Sequence, residues 1–211
     1  HEKYDFEWEF YNSDGSHADM CGNGSRAVAH YAYINDLAPK KMSFLTGAGV
    51  INAEVKKSHG NKKGMVLSEL TVPNILDEKI ELNGKSWWLI NTGVPHMVCL
   101  IDNIDEFDLQ EARELRQKYN ANVNIAKVNE DGSLHVRTYE RGVEDETLAC
   151  GTGVTAVAIA ANKINKTNAN SIKLEVLGGQ LEVSFKKEGD IYKKVFLKGP
   201  TQFVFEGNIT I

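Results

Sequence analysis

The chain has 211 residues, of which 42% are hydrophobic and 25% are charged, a composition typical of globular proteins rather than of disordered or low-complexity chains. Its 24 basic and 29 acidic residues give a net charge of −5, which excludes the basic surplus that sequence-independent nucleic-acid binding needs. The apolar runs are too short to span a bilayer, so we expect no nucleic-acid partner and no membrane partner.

Strand patterns dominate the sequence from its first residues. Residues 4–10 alternate aromatic with acidic side chains, which predicts a half-buried strand. Because the chain opens on His1 and enters this strand at once, we expect it to be a fragment. Further strands are predicted at 42–46, 50–55, 64–72, 86–91, 97–101, 123–129 and 133–140, with a C-terminal series from Ile172 onward.

Helical spacing of apolar residues is found at 25–37, 106–119 and 154–164. The second helix is predicted to turn Leu109, Ala112 and Leu115 inward, whereas the third is apolar nearly all round and should be buried. Many antiparallel strands with a few long helices predict an α+β fold. Pro73-Asn74 with the charged residues 77–79 is the best candidate for a linker.

Two segments of the chain resemble each other. Cys21-Gly-Asn-Gly-Ser-Arg-Ala-Val-Ala29 and Cys150-Gly-Thr-Gly-Val-Thr-Ala-Val-Ala158 share the cysteine, both glycines and the closing Ala-Val-Ala. Each segment lies between a predicted strand and a predicted helix. The match indicates a duplication, and hence two similar halves related by approximate two-fold symmetry.

Each of these two cysteines precedes the N-terminus of a helix, where unpaired N–H groups favour a thiolate and bind an anion such as a carboxylate. If the halves face each other, two thiols converge on one small anionic molecule. Opposed acid and base groups are what inversion of a carbon centre by proton transfer requires. The alternative is that both are merely small buried residues, as we expect for Cys99 within its apolar run. A low cysteine count without a secretory leader pattern favours a reducing, cytoplasmic location.

The segments 12–16, 20–26, 140–142 and 146–153 together resemble the diaminopimelate epimerase family, and the similarity continues through Pro95-His96, 122–124 and the closing Gly199-Pro200. The resemblance implies an isomerase that inverts one α-carbon of a dicarboxylic diamino acid, converting LL-diaminopimelate to meso-diaminopimelate in lysine and peptidoglycan biosynthesis. It also implies two cysteines as acid and base, with no cofactor and no metal.

The resemblance further implies roles for particular residues. Cys21 and Cys150 are the acid/base pair, and His96 lies beside the reactive centre. The substrate-binding set is Asn12, Gly22, Asn23, Asn124, Glu140, Arg141, Gly151 and Thr152. Within that set, the segments Gly22-Asn23 and Gly151-Thr152 supply backbone N–H groups to the reacting carboxylate, and Arg141 suits the distal carboxylate as a bidentate donor.

The implied architecture is two pseudo-symmetric α+β halves, each a mainly antiparallel sheet wrapped around a central helix. One half comprises 1–74 with 203–211, the other 75–202, and the active site lies between them. The family's opening strand and helix are absent here, which supports the fragment interpretation. Val94 stands where many members have an asparagine. A homodimer is expected.

Two other functions stay open on sequence grounds. One is a different two-cysteine racemase or epimerase, acting on proline or hydroxyproline, which would share the second cysteine motif. Asn23 and the triplet 140–142 favour diaminopimelate over these substrates. The other is a thiol redox protein in which Cys21 and Cys150 form a disulfide.

Overall fold

A computed structural model of the chain describes residues 1–11, 15–59 and 62–208. The helices are α1 (Gly22–Ile34), α2 (Leu109–Tyr119) and α3 (Gly151–Lys163), with a 3-10 turn at Ile104–Glu106. The strands are β1 (Phe6–Glu7), β2 (Lys41–Thr46), β3 (Gly49–His59), β4 (Lys63–Glu69), β5 (Asn74–Leu82), β6 (Lys85–Asn91), β7 (Pro95–Leu100), β8 (Asn122–Val128), β9 (Leu134–Glu140), β10 (Asp145–Glu146), β11 (Ser171–Val176), β12 (Gly179–Glu188) and β13 (Ile191–Gln202).

Within those described ranges, thirteen strands form one sheet in the order β1-β2-β3-β4-β13-β12-β11-β9-β8-β7-β6-β5, with β10 beside β9. Most neighbours are antiparallel, and the parallel pairs are β1 with β2, β7 with β8 and β9 with β11. β13 joins the two groups of strands because it pairs with β12 on one edge and with β4 on the other. The α+β class predicted from the sequence is confirmed.

Helix α3 occupies the centre of the larger core. Every residue from Gly151 to Asn162 is buried, as its nearly continuous run of Ala, Val and Ile predicts. Its two interior polar side chains are satisfied locally: Thr155 Oγ1 donates to Gly151 O at 2.9 Å, and Asn162 Oδ1 accepts from Tyr192 at 3.1 Å. The polar side chains of Thr155 and Asn162 therefore have partners although they are buried.

Helix α1 is buried along one side only. Ala29 and Ala32 pack into a second core with Phe44, and the aromatic strand near the N-terminus completes that core. The alternation predicted for residues 4–10 is observed, since the aromatic side chains are half-buried and the acidic ones exposed. Ladder pairing, however, is limited to Phe6–Glu7, which run parallel to β2, so the predicted strand is longer than the observed one.

Helix α2 covers a third core. Asp108 caps its N-terminus by accepting from Gln110 N–H at 2.7 Å and from Glu111 N–H at 3.2 Å, so the helix begins at Leu109 and not at 106 as predicted. Ala112 and Leu115 are buried as predicted. The prediction for Leu109 was wrong: its side chain is 43% exposed because it occupies the first position after the cap.

The predicted linker is not a linker. Pro73 lies between strands, but Asn74–Leu82 form β5, an edge strand antiparallel to β6. The register shifts twice along this pairing, and Lys79 has a φ of +59°. These irregularities interrupt the apolar alternation, which is why the sequence pattern did not indicate a strand. Among the described residues, no helix is long and apolar enough to cross a membrane.

Candidate active site

The two Cys-Gly steps of the repeat meet in space. Cys21 and Cys150 are the N-cap residues of α1 and α3, with similar extended backbone angles (φ −138°, ψ 116° and φ −118°, ψ 111°). A Cβ atom built on Gly22 would lie 3.3 Å from Gly151 Cα, and one built on Gly151 would lie 3.3 Å from Gly22 Cα. The two helix starts are thus in backbone contact, and the absence of a Cβ atom at both positions allows this close approach.

Both helices begin three residues earlier than the periodicity predicts, directly after each cysteine. Cysteine is outside the usual set of capping residues, so the start signal is missing from the sequence. Because the helices start directly after the cysteines, their first unpaired N–H groups are those of Gly22, Asn23, Gly151 and Thr152. The helix dipole attracts negative charge to these N-terminal ends.

The Asn23 side chain bridges the two motifs. Its Nδ2 donates to Ala149 O at 3.1 Å, immediately before Cys150, and its Oδ1 accepts from Arg26 Nη2 at 2.7 Å. Arg26 Nη1 in turn donates to Gly22 O at 3.0 Å. The Asn23 amide group therefore joins α1 to the segment before α3.

Cys21 is half-buried, and its Sγ accepts from Gly24 N–H at 3.3 Å. Burial lowers the pKa of Arg26 to about 10, and the charge of Cys21 partly opposes that shift, which shows how near the two side chains are. The sulfur atom therefore lies in the field of both a helix N-terminus and a buried cation.

Cys150 lies in a different environment. It is buried, and its Sγ is 3.4 Å from Thr152 Oγ1. Burial raises the pKa of Cys150 to about 12 and the charge of Glu140 adds to the rise, whereas the Thr152 hydroxyl and the Gly153 N–H oppose it. The surroundings of Cys150 therefore favour its neutral thiol form.

Behind Thr152 lies a fully buried group of polar side chains. His96 Nε2 is 3.0 Å from Thr152 Oγ1, and His96 Nδ1 is 3.1 Å from Asn124 Nδ2. Burial, with a smaller contribution from Arg141, lowers the pKa of His96 to about 3, so the imidazole is neutral. His96 is thus linked to Cys150 through Thr152, and its predicted role beside a reactive centre stays a prediction.

Asn124 was predicted to hold the substrate, and the structure gives it other partners. Its Nδ2 donates to Met97 O at 3.0 Å, and its Oδ1 accepts from Thr138 Oγ1 at 2.9 Å. A Cβ atom on Gly153 would lie only 2.5 Å from Asn124 Oδ1, so the amide packs directly beneath the first turn of α3. Its contacts in this structure are with the protein.

Glu140 and Arg141 end strand β9 next to Cys150. Burial raises the pKa of Glu140, and the Thr147 hydroxyl opposes the rise. Arg141 is half-buried, its backbone N–H donates to Asn122 Oδ1 at 2.8 Å, and its Nη1 donates to Asn120 O at 2.9 Å. The charge of Glu140 thus acts on Cys150 and that of Arg141 acts on His96, and their predicted roles in substrate binding stay predictions. Asn12, the remaining predicted residue, lies outside the described residues.

Two features of the site were missed by the sequence reasoning. Leu197 is fully buried, and its Cδ2 would lie 2.7 Å from a Cβ atom on Gly151, so it supports the contact between the helix starts. The bidentate pair of Arg137 with Glu146, at 2.7 and 2.6 Å, fixes the segment that leads into Cys150. Strand alternation indicates only that Leu197 is buried, and nothing local in the sequence pairs Arg137 with Glu146.

A cavity of about 830 Å³ adjoins the site without containing either cysteine. Asn23 and Ala149 belong to its lining, along with His30 of α1 and residues of β12 and β13. The cavity therefore begins at the bridge between the two helix starts and extends away from the sulfur atoms. Across residues 1–11, 15–59 and 62–208, no group of three or more His, Cys, Asp or Glu side chains is placed to hold a metal ion.

Solved structures with the same fold define the class. A PhzF-family phenazine biosynthesis protein from Bacillus anthracis is 14% identical, with a TM-score of 0.72 over 97% of this chain and 82% of its own. A probable proline racemase from Agrobacterium radiobacter is also 14% identical, with a TM-score of 0.71 over 95% and 72%. A hydroxyproline epimerase from Agrobacterium vitis is 12% identical, with a TM-score of 0.66 over 93% and 68%. The fold is that of this group of racemases, epimerases and PhzF proteins.

Sequence similarity gives the family within that class. The family model for diaminopimelate epimerase matches residues 1–73 and 88–204. The diaminopimelate epimerase of Nitratiruptor sp. is 52% identical over 206 residues, which are 98% of this chain and 78% of that protein. The corresponding enzyme of Campylobacter jejuni strain 81-176 is 51% identical over 99% of this chain and 79% of its own length. The chain belongs to the diaminopimelate epimerase family, and it is an enzyme of the isomerase class.

Proposed function

We propose that this chain inverts the α-carbon of LL-diaminopimelate to give the meso isomer, with Cys21 and Cys150 as the two acid/base residues. The contact between the two cysteine-capped helix starts carries the proposal, because it brings two thiols and two sets of free N–H groups to one place. The name shared by relatives at about half identity supports the substrate.

The proposed reaction is two proton transfers on opposite faces of one carbon. A thiolate at Cys21 takes the α-proton, and the thiol of Cys150 delivers its proton to the other face as the carbanion is quenched. The roles exchange for the opposite substrate configuration. The different surroundings of the two sulfurs support this starting state, since burial keeps Cys150 protonated.

Stabilisation of the carbanion is assigned to the helix ends. A carboxylate placed between the N–H groups of Gly22, Asn23, Gly151 and Thr152 would have its developing negative charge shared by two helix N-termini. The close approach of Gly22 and Gly151 supports the idea that one carboxylate accepts hydrogen bonds from the N–H groups of both helix starts. In this proposal the backbone N–H groups of the chain stabilise the carbanion, a task that a bound cofactor performs in other enzymes.

The rest of the substrate is assigned to the rim of the site. Arg141 offers a planar donor for the distal carboxylate, and Glu140 offers a negative charge for an amino group. Asn12 is included on the family resemblance alone. We further propose a homodimer in the cytoplasm, and a division into 1–74 with 203–211 and 75–202, with the site between the two parts.

The test compares three single variants. Cys21→Ala and Cys150→Ala should each abolish epimerisation, whereas Cys99→Ala, in a buried site of β7 away from the helix starts, should retain it. In deuterated water, the inverted product should carry deuterium at the α-carbon. Near-normal turnover by either active-site variant would contradict the two-base mechanism.

The same assay separates the alternatives. Proline and trans-4-hydroxyproline should show no racemisation with this chain, while diaminopimelate does. Turnover of either imino acid in preference to diaminopimelate would assign the chain to that other group. Dithiol oxidation without any α-proton exchange would favour a thiol redox protein.

A further inference from the structure

The buried side chains behind Cys150 form a chain of hydrogen bonds whose direction can be read from their partners. The chain runs from Asn124 through His96 and Thr152 to Cys150, with heavy-atom distances of 3.1, 3.0 and 3.4 Å. We infer that this chain fixes His96 as the Nε2–H tautomer and thereby directs the Thr152 hydroxyl hydrogen at Cys150 Sγ when that sulfur is a thiolate. His96, Asn124 and Thr152 are then positioning residues for Cys150. The hydrogen-bond directions follow from the geometry, and only the acid/base role of Cys150 rests on the proposed function.

The orientation of the Asn124 amide starts the argument. Its Nδ2 faces the carbonyl oxygen of Met97 at 3.0 Å, and a carbonyl oxygen can only accept. Its Oδ1 faces the Thr138 hydroxyl at 2.9 Å, which can donate. A flipped amide would place two oxygens against each other at Met97, so the second N–H of Nδ2 must point at His96 Nδ1.

The tautomer of His96 follows. Nδ1 receives a hydrogen from Asn124 and is therefore the unprotonated nitrogen, which leaves the single hydrogen of a neutral ring on Nε2. Asn122 Nδ2 also faces Nε2, but at 3.5 Å, and it has Pro95 O as its other acceptor. A neutral ring cannot accept at both nitrogens, and the shorter contact at Nδ1 decides between them.

Thr152 then has one free hydrogen. Its Oγ1 accepts from His96 Nε2–H, so its own O–H group is available to the sulfur 3.4 Å away. In the opposite tautomer Nε2 would accept that hydrogen, and a thiolate at Cys150 would lose it. The bond to a negatively charged sulfur is charge-assisted, and burial strengthens it further.

Charged groups influence the two titratable members of this hydrogen-bond series, Cys150 and His96. Glu140 and Cys21 act on Cys150, and Arg141 acts on His96. The relay itself is neutral and fully enclosed, so it stabilises a thiolate without moving a proton onto His96. Each sulfur has a backbone donor three residues further along the chain, Gly24 N–H for Cys21 and Gly153 N–H for Cys150. The Thr152 hydroxyl is a side-chain donor that Cys150 has in addition.

The first measurement is the nitrogen NMR spectrum of His96 in the 211-residue chain. The expected result is a proton on Nε2 and none on Nδ1, unchanged from pH 8 to pH 5. A protonated Nδ1 would overturn the proposal. Asn124→Leu, which removes the donor to Nδ1, should shift the ring toward a mixture of tautomers, whereas a spectrum unchanged by that substitution would also overturn it.

The second measurement is the rate at which methyl methanethiosulfonate converts Cys150 to its methyl disulfide, with methanesulfinate as the leaving group, in a Cys21→Ser/Cys99→Ser background that leaves one thiol. Thr152→Val keeps the shape of Thr152 without its hydroxyl, and it should slow modification about tenfold at fixed pH. Thr152→Ser should restore most of the rate. Equal rates for Thr152→Val and the parent, or equal slowing by Val and Ser, would refute the relay. Circular dichroism confirms folding, and neither measurement needs epimerase turnover, so a failure of the proposed function stays distinguishable.

Discussion

Gly151→Ala tests whether the two helix starts must touch. The added Cβ would lie 2.7 Å from Leu197 Cδ2 and 3.3 Å from Gly22 Cα. Leu197 is fully buried and cannot swing outward, and the second neighbour is backbone. Relief therefore requires the first turn of α3 to shift away from Leu197 and from Gly22, and that turn carries part of the proposed carboxylate site.

The expected cost follows from two opposing effects. Overpacking of a well-filled core costs about 1–3 kcal/mol, and the better helix propensity of alanine returns up to about 1 kcal/mol. With the full gain, the net loss is up to about 2 kcal/mol, which corresponds to a fall in Tm of up to about 8 °C for a chain of this length. A displacement of a few tenths of an ångström at the reacting groups should lower kcat/KM by at least about tenfold.

The assay is thermal unfolding together with epimerase kinetics, and the structure offers two controls. Gly22→Ala is the milder partner, since its Cβ would meet nothing closer than 3.3 Å. Leu197→Val should relieve the clash, so the double variant Gly151→Ala/Leu197→Val should lose less than the sum of its single variants. Unchanged Tm and unchanged turnover in Gly151→Ala would refute the reasoning, because a methyl group would then fit between the helix starts without displacing them.

Three further predictions concern other parts of the molecule. Since burial lowers the pKa of His96 to about 3 while an unfolded histidine titrates near 6.5, the unfolded state binds the extra proton between these values. The free energy of unfolding should therefore fall by up to about 1.4 kcal/mol per pH unit below pH 6.5, and His96→Gln should flatten that slope in urea titrations. Mild oxidation should join Cys21 to Cys150 reversibly, visible as a reductant-sensitive cross-linked peptide, and Cys99 should not take part. Arg137→Met leaves the Glu146 carboxylate without its bidentate partner and should destabilise the chain by about 1–2 kcal/mol, with Lys186→Met on the surface as a neutral control.

Features that depend on neighbouring residues could be predicted from the sequence. The repeat around Cys21 and Cys150 placed both cysteines correctly at helix starts, because a strand, a glycine turn and a helix follow one another locally. The burial of α3 followed from its composition, and the exposed and hidden sides of residues 4–10 followed from their alternation.

Features that depend on distant partners could not be predicted. The orientation of the Asn124 amide is set by Met97 on β7 and Thr138 on β9, which the sequence separates widely. Strand β5 was taken for a linker because its pairing is irregular and its residues are charged. The contact of Leu197 with both glycines exists only once β13 has passed beneath the two helices.

Strand β13 has a mechanical consequence for substrate access. Around Phe196–Lys198 it carries ladder bonds on both edges, to β12 and to β4, so the two strand groups share one continuous ladder at this point. A loop hinge lets two bodies swing freely, whereas a shared strand resists rotation in proportion to the twist imposed on its ladder. Any motion that separates the two strand groups must therefore twist this shared ladder, and a substrate that required them to part would meet that resistance.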